Sequence, residues 1–384
     1  MMPPRSQPGS GNAKFRPIRE TAVVVLVGMI TIAILLRAGE TISAKTFVYR
    51  GSQKPCFRFD DPVYGTRGVP NSVCKASFPE GEMSEYRLNN CGHRTPLPCG
   101  PKPPGVFRIV MVGSSAGMGD GVSFEQSFAG QLYNNLPRDL HRPIQLYNIS
   151  IMGVGAAPRY RAEFFSNDVL PLHPDLILYT VSPYELFLKD PGYTVPTSSR
   201  QSVKKLDLMN RLGVASRFSD ILHDAPLVVG LRHYLYQSHY IYLKAALEGD
   251  DEQNWYLGKT PAPEARELIS QFERNFAAFK AQADRANIPV AVLMIPKRPE
   301  VAMISSGNWS DEYDPYWLDL QVQEIARRHG AGALDILPGL SMIPDEESLY
   351  FPSDGHPDAK GHAVLAQLIE RALTAGSIPQ LKAN

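Results

Sequence analysis

The stretch VFRIVMVGSSAGMGDGV, residues 106–122, decides the fold. Its first seven residues, Val106 to Val112, carry one charge, Arg108, and are otherwise apolar. A run this short and this apolar, followed at once by Gly113, Ser114 and Ser115, reads as a buried parallel strand ending in a tight turn. Beyond the turn, Ser123 to Leu136 has a helical pattern, with Ser123 and Gln126 at the spacing of a capping box. The same rhythm continues outward. Ile144–Ile149, Leu176–Val181, Val290–Ile295 and Ala333–Leu337 read as further strands. Leu268, Phe272, Phe276, Phe279 and Ala283 mark one face of a helix, and Tyr316–His329 and Gly361–Leu373 read as two more. Strands alternating with helices predict a three-layer α/β fold, a parallel sheet covered on both faces. Sites in such folds lie at the carboxyl ends of the strands, near the point where strand order reverses.

Residues 190–260 interrupt this rhythm. They are rich in Pro, Ser and Asp and then in aromatic residues, LRHYLYQSHYIYL at 231–243. They read as an inserted helical lobe whose tyrosines serve packing. The chain of 384 residues is 43% hydrophobic and 20% charged, which excludes disorder throughout. Its length suggests two or three domains. Lys plus Arg and Asp plus Glu are 39 each, so there is no net charge and no basic run to suggest a nucleic-acid partner. Proline, 33 residues, is well above the usual ~5%, which points to long ordered loops. No internal repeat is visible.

The first forty residues address the compartment. Residues 1–16 read as a disordered tail. Thr21 to Leu36 is an uncharged run of sixteen, extended to a span of 17–39 by Pro17 in the first turn and by Arg19 and Arg37 reaching outward. A retained signal anchor is the expectation. A cleaved signal peptide is the rival, with Ile42-Ser43-Ala44 as a poor cleavage site, and a buried core helix is the plainest alternative. Arg5, Lys14, Arg16 and Arg19 place the tail inside and the rest of the chain outside the cytoplasmic membrane, whereas Arg37, Lys45 and Arg50 count against that orientation. All four cysteines, Cys56, Cys74, Cys91 and Cys99, fall in the lead-in 40–103. An even, clustered set in an exported segment reads as two disulfides, with 56–74 and 91–99 the simplest of three pairings. A zinc site is the alternative, but no C-x-x-C pair exists.

Two segments carry chemistry. In Gly113–Gly121 the glycines allow a tight turn that holds a serine hydroxyl outward, with backbone N–H groups converging on an anion. A phosphate loop fails in detail: no Lys follows, and the third glycine of G-x-G-x-x-G is missing. An ordinary Gly/Ser turn is the plain reading. The second segment is Ser353-Asp354-Gly355-His356-Pro357-Asp358-Ala359-Lys360-Gly361-His362. A serine nucleophile needs a base to take its proton and an acid to orient that base, and His356 and Asp354 supply both. A metal cluster of Asp354, His356, Asp358 and His362 is the alternative, with His362 packing or capping the last helix otherwise. No cofactor is called for.

Together these segments resemble the SGNH (GDSL-type) hydrolase superfamily over about residues 104–375. VGSSAGMGDGV is similar to its first block, with Ser115 at the nucleophile and Ser114 where an aspartate is usual. Asn148-Ile149-Ser150-Ile151-Met152-Gly153 resembles the second, whose glycine N–H, here Gly153, helps form the oxyanion hole with the N–H of Ser115. SDGHPDAKGH resembles the last block. Its D-x-H spacing in place of D-x-x-H is closer to the polysaccharide acetyltransferase branch. Phe57-Arg58-Phe59-Asp60 and Asn90–Arg94 look like the lead-in of membrane-anchored members. The third block departs: Ser182-Pro183-Tyr184-Glu185 puts Tyr184 where an asparagine usually donates to the oxyanion. The resemblance implies a flavodoxin-like sheet and a Ser115–His356–Asp354 triad. It further implies an esterase or O-acyltransferase acting on O-acyl groups, acetyl above all, of an envelope or exported glycan, beside glycan-export machinery. A degenerate member that only binds glycan is the other class. Gly113-x-Ser115-x-Gly117 also fits the elbow of α/β-hydrolases, but several strands precede the elbow in that fold.

Overall fold

The computed structural model describes residues 16–381 apart from 52–55, 62–64, 78, 152–163, 188–224, 250–253, 262, 342, 344–345 and 377. The chain opens with helix α1, Arg16–Ser43. Within it Thr21–Ser43 contains a window with a mean hydropathy of 2.4, none of which is buried, so the segment is long and apolar enough to cross a membrane. The lead-in then forms five short strands: β1 (Arg50–Gly51), β2 (Phe57–Asp61), β3 (Gly65–Gly68), β4 (Val73–Ser77) and β5 (Ser84–Arg87). They make two small antiparallel sheets, β1-β4-β5 and β2-β3. Disulfides Cys56–Cys74 and Cys91–Cys99, with Cα atoms 5.8 and 6.1 Å apart, tie this region together.

The body is a five-stranded parallel sheet of β6 (Phe107–Val112), β7 (Ile144–Asn148), β8 (Leu176–Val181), β9 (Val290–Met294) and β10 (Gly332–Leu334). The strands lie in the order β10-β9-β8-β6-β7. This is the flavodoxin-like order, and it places the reversal between β6 and β8. Alternate residues go to opposite faces, as the two-residue period of a strand requires. Val110, Val112, Tyr179, Val181, Val290 and Val292 enter one core, and Ile109, Met111, Leu176, Leu178, Ala291 and Leu293 enter the other.

Helices cover both faces. After β6 come α2 (Ser115–Met118) and α3 (Phe128–Asp139). After β8 come α4 (Pro183–Phe187), α5 (Pro226–Leu235), α6 (His239–Gly249) and α7 (Pro263–Arg285). Then follow α8 (Arg298–Ser306), α9 (Trp317–Arg328), α10 (Leu337–Leu340) and α11 (Ala359–Thr374). Phe272, Phe276 and Phe279 of α7 and Val322 and Ile325 of α9 fill the first core. Leu132 and Leu136 of α3, Val301 of α8 and Leu365 and Ile369 of α11 fill the second.

Two boundaries differ from expectation. Ser123 and Gln126 do exchange the bonds of a capping box, at 3.0 and 3.2 Å, but these close a turn. The helix starts at Phe128, where Ser127 accepts from Gly130 N. The last strand ends at Leu334, and the residues expected to continue it lead into α10. Of the expected lobe 190–260, residues 190–224 and 250–253 lie outside the described residues, as does nearly all of the expected tail 1–16. The rest of the lobe includes the helices α5 and α6.

Candidate active site

Strand β6 ends at Val112, and the next residue must be small. A Cβ at Gly113 would stand 1.9 Å from Thr180 Oγ1 and 2.9 Å from Ser150 Oγ, so the turn lies tightly between the ends of β8 and β7. Asn148 braces it from below: its amide donates to Gly117 O at 3.0 Å, and its Oδ1 accepts Ser150 N at 3.1 Å. Ser115 opens α2 from this turn.

The acid and base come from the loop ahead of α11. Gly355, between them, has φ +80°, a left-handed conformation that side-chain-bearing residues avoid. That kink turns the Asp354 carboxylate back onto its neighbour two residues on. Asp354 Oδ1 accepts His356 N at 3.1 Å and sits 2.6 Å from His356 Nδ1. With the Nδ1 proton held by the carboxylate, Nε2 is an acceptor, and Ser115 Oγ lies 2.8 Å from it. The loop is fixed downstream, where Asp358 caps α11 through Gly361 N at 2.8 Å.

Charge distribution follows from this geometry. Burial alone would lower the His356 pKa, but the Asp354 charge and hydrogen bond outweigh it and hold the imidazole above the usual histidine value. Burial would likewise raise Asp354, yet His356 and the bonds from it hold the carboxyl below its ordinary range. A second carboxyl, Asp120, is buried beside the triad, and burial pushes its pKa up although His356, Tyr86 and Arg94 oppose the rise. Tyr86 donates to Asp120 Oδ1 at 2.7 Å and accepts Gly121 N at 3.0 Å. The Arg94 guanidinium lies 4.1 Å over the Tyr86 ring. It donates to the carbonyls of Met118, Gly119 and Val122 at 3.1, 2.6 and 2.6 Å.

Ser115, Asp354 and His356 line a cavity of about 260 Å³ with Ser182, Tyr184, Ile295, Pro296 and Lys297. Tyr184 is 38% exposed, and Lys297 Nζ stands 4.9 Å from its ring centroid. Gly153 lies outside the described residues. Among the described residues no group of three or more His, Cys, Asp or Glu side chains is arranged to hold a metal. His362 is fully buried and accepts Phe128 N at 3.2 Å. Burial and the nearby Arg94 and His356 charges lower its pKa to about 3.

Sequence reasoning passed over Glu80, Tyr86 and Lys297, and read Arg94 only as the end of the Asn90–Arg94 lead-in pattern, with no role at the site. Glu80, Tyr86 and Arg94 meet main-chain groups of the site or Asp120, contacts that have no residue pattern of their own. Lys297 had a usable signal: it stands three residues past the end of a strand, as Ser115 does, while Ser182 follows its strand directly.

No protein-family model matches the sequence, and no curated protein matches it. Some solved structures are similar to the chain at a distance. An acetylxylan esterase from Geobacillus stearothermophilus is 11% identical, with a TM-score of 0.37 over 69% of this chain and 93% of its own. An α/β hydrolase from the metagenome of Lake Arreo, Spain, is 14% identical, with a TM-score of 0.36 over 69% and 94%. TesA is 13% identical, with a TM-score of 0.36 over 70% and 98%. The fold class itself, an α/β parallel sheet in flavodoxin-like order behind one apolar helix, is defined by this chain's own strands.

Proposed function

We propose that the chain is a serine hydrolase of SGNH type that cleaves or transfers O-acyl groups. The carrying observation is the hydrogen-bonded series Ser115 Oγ, His356 Nε2, His356 Nδ1, Asp354 Oδ1, with separations of 2.8 and 2.6 Å at its ends, beside a cavity at the β6/β8 switch point. Ser115 Oγ attacks the acyl carbonyl while its proton passes to His356 Nε2, and Asp354 holds the imidazole tautomer and stabilises the cation that forms. The oxyanion takes N–H bonds from Ser115 and Gly153, with the Tyr184 hydroxyl as third donor. His356 then protonates the leaving alcohol, and the acyl-enzyme passes its acyl group to water or to a sugar hydroxyl.

The cavity is at the small end for a ligand pocket, which suits an acetyl group with part of one sugar. In this reading α1 is a signal anchor spanning 17–39. The disulfide-bearing lead-in and the hydrolase domain 104–375 stand on the outer face of the cytoplasmic membrane, where an envelope or exported glycan passes and its export machinery would be the partner. The glycan assignment is by analogy of site and place. The test is hydrolysis of 4-nitrophenyl acetate by the purified full chain. Ser115→Ala lowers turnover by about 10⁴-fold or more; full activity in that variant would sink the mechanism.

A further inference from the structure

We propose that Glu80, in the lead-in, is a positioning residue of the active site: it clamps the backbone that carries the catalytic acid. The proposal deepens the serine-hydrolase reading above and rests on it. Glu80 is remote in sequence from everything it holds. Its side chain is 1% exposed. Oε2 accepts Ser353 N at 2.8 Å and Asp354 N at 2.9 Å, and Oε1 accepts Ser353 N at 3.0 Å. A carboxylate can accept several donors at once, and N–H bonds to an anion are among the stronger ones a backbone makes. Both main-chain partners belong to one short segment, the two residues immediately before the Gly355 kink.

That placement matters for the chemistry. Asp354 reaches His356 only because the chain doubles back at Gly355, and a glycine at φ +80° does not by itself hold one conformation. Glu80 supplies the missing constraint from outside the loop. With the Asp354 backbone fixed, Oδ1 stays within 2.6 Å of His356 Nδ1, and Nε2 remains aimed at Ser115. The clamp is itself anchored. Glu80 Oε1 lies 2.8 Å from His233 Nδ1 on α5, and the His233 ring packs against Phe47 with centroids 5.2 Å apart. Phe47 stands four residues past the end of α1 and donates its N–H to Ser43 O at 2.7 Å, and Glu40 of α1 accepts Leu227 N at 2.9 Å. A continuous set of contacts therefore runs from the end of the apolar helix through α5 and Glu80 to the catalytic acid.

The test uses the full chain in detergent micelles, with Glu80→Ala and Glu80→Gln, the latter keeping one acceptor oxygen. Three quantities are read: kcat and KM on 4-nitrophenyl acetate, the rate of covalent labelling by a fluorophosphonate, and amide hydrogen exchange of the segment 351–356. A reacting group displaced by a fraction of an ångström to one ångström costs up to about 10²-fold. Glu80→Ala is therefore expected to lower kcat by ~10- to 100-fold with KM within about twofold, to slow labelling in parallel, and to speed exchange at Ser353 and Asp354. Glu80→Gln is expected to recover part of each. If the wild type labels and Glu80→Ala labels as fast, with unchanged exchange, the clamp is refuted while the hydrolase reading stands. If Glu80→Ala and Glu80→Gln lose activity only in step with a general loss of folded protein, Glu80 is structural and the proposal fails. If the folded wild type itself neither labels nor hydrolyses, the hydrolase reading falls and takes the positioning role with it, even where exchange at Ser353 responds.

Discussion

The parallel sheet and the disulfide-bearing lead-in serve the same site in opposite ways. The sheet region supplies every atom of the triad. β6 delivers Ser115, and the loop before α11 delivers Asp354 and His356, each set on an apolar core filled from both faces. The lead-in supplies no triad atom, and among its described residues it has a small apolar cluster, Cys56, Phe57, Cys74, Ala76, Tyr86 and Leu88, packed on Met118 of α2. Two disulfides stand in for the core that so few residues cannot build. Yet its polar side chains reach both halves of the site: Arg94 and Tyr86 hold the nucleophile turn, and Glu80 holds the acid–base loop. Chemistry comes from strand ends, and rigidity comes from a segment wrapped around them.

Substitutions can break that contrast or sharpen it. The largest effect belongs to the sheet side. Asp354→Asn keeps the shape but removes the charge that fixes the His356 tautomer, so turnover is expected to fall by about 10⁴-fold. The same anion holds the His356 pKa up. Catalysis needs the neutral imidazole, so the wild-type rate falls as pH drops through a pKa above the usual histidine value. Removing the anion leaves burial and the Lys297 charge, both of which lower it, opposed only by the smaller effect of Asp120, and the residual activity of Asp354→Asn should persist to lower pH. A pH–rate profile of both proteins checks the sign; an unmoved acidic limb would detach Asp354 from His356.

Next comes Tyr184, at the mouth of the cavity. Tyr184→Phe keeps the ring under Lys297 and removes the hydroxyl, and a donor role predicts a fall in kcat of about 10²-fold with little change in melting. Unchanged kcat would reduce Tyr184 to pocket wall and leave the oxyanion to two amides. The smallest effect on turnover and the largest on stability belongs to the lead-in. Arg94→Met strands the carbonyls of Met118, Gly119 and Val122, which at ~1–3 kcal/mol for each buried unpaired group costs about 3 kcal/mol or more. Chemical denaturation measures it. A variant as stable as wild type would mean that the lead-in does not brace the nucleophile turn.

Much of this was legible in the sequence because it depends on near neighbours. Leu176–Val181 reads as a buried strand since five of its six residues are apolar or aromatic, Thr180 being the exception, and every one is buried. Ser115, Asp354 and His356 stand in short motifs whose residue types the chemistry requires. The capping-box pattern at Ser123 was real but local, and its bonds formed in a turn because Ser127 provided the cap for α3. Helix α8 shows no clear periodicity, since Arg298 through Ile304 are buried on all sides, although Pro299 in its first turn and Gly307 after its end are helix signals. What could not be read were contacts to backbone. Glu80 meets Ser353 N across 273 residues, and a main-chain N–H has no residue identity to betray it.

The central claim is that His356 activates Ser115 as a nucleophile. It is tested most directly by treating the folded full chain with a fluorophosphonate and mapping the adduct by mass spectrometry. The account predicts one adduct on the peptide bearing Ser115, formed at a rate that collapses in His356→Ala. A folded chain that carries no adduct, or one that labels Ser115 equally well without His356, would contradict it.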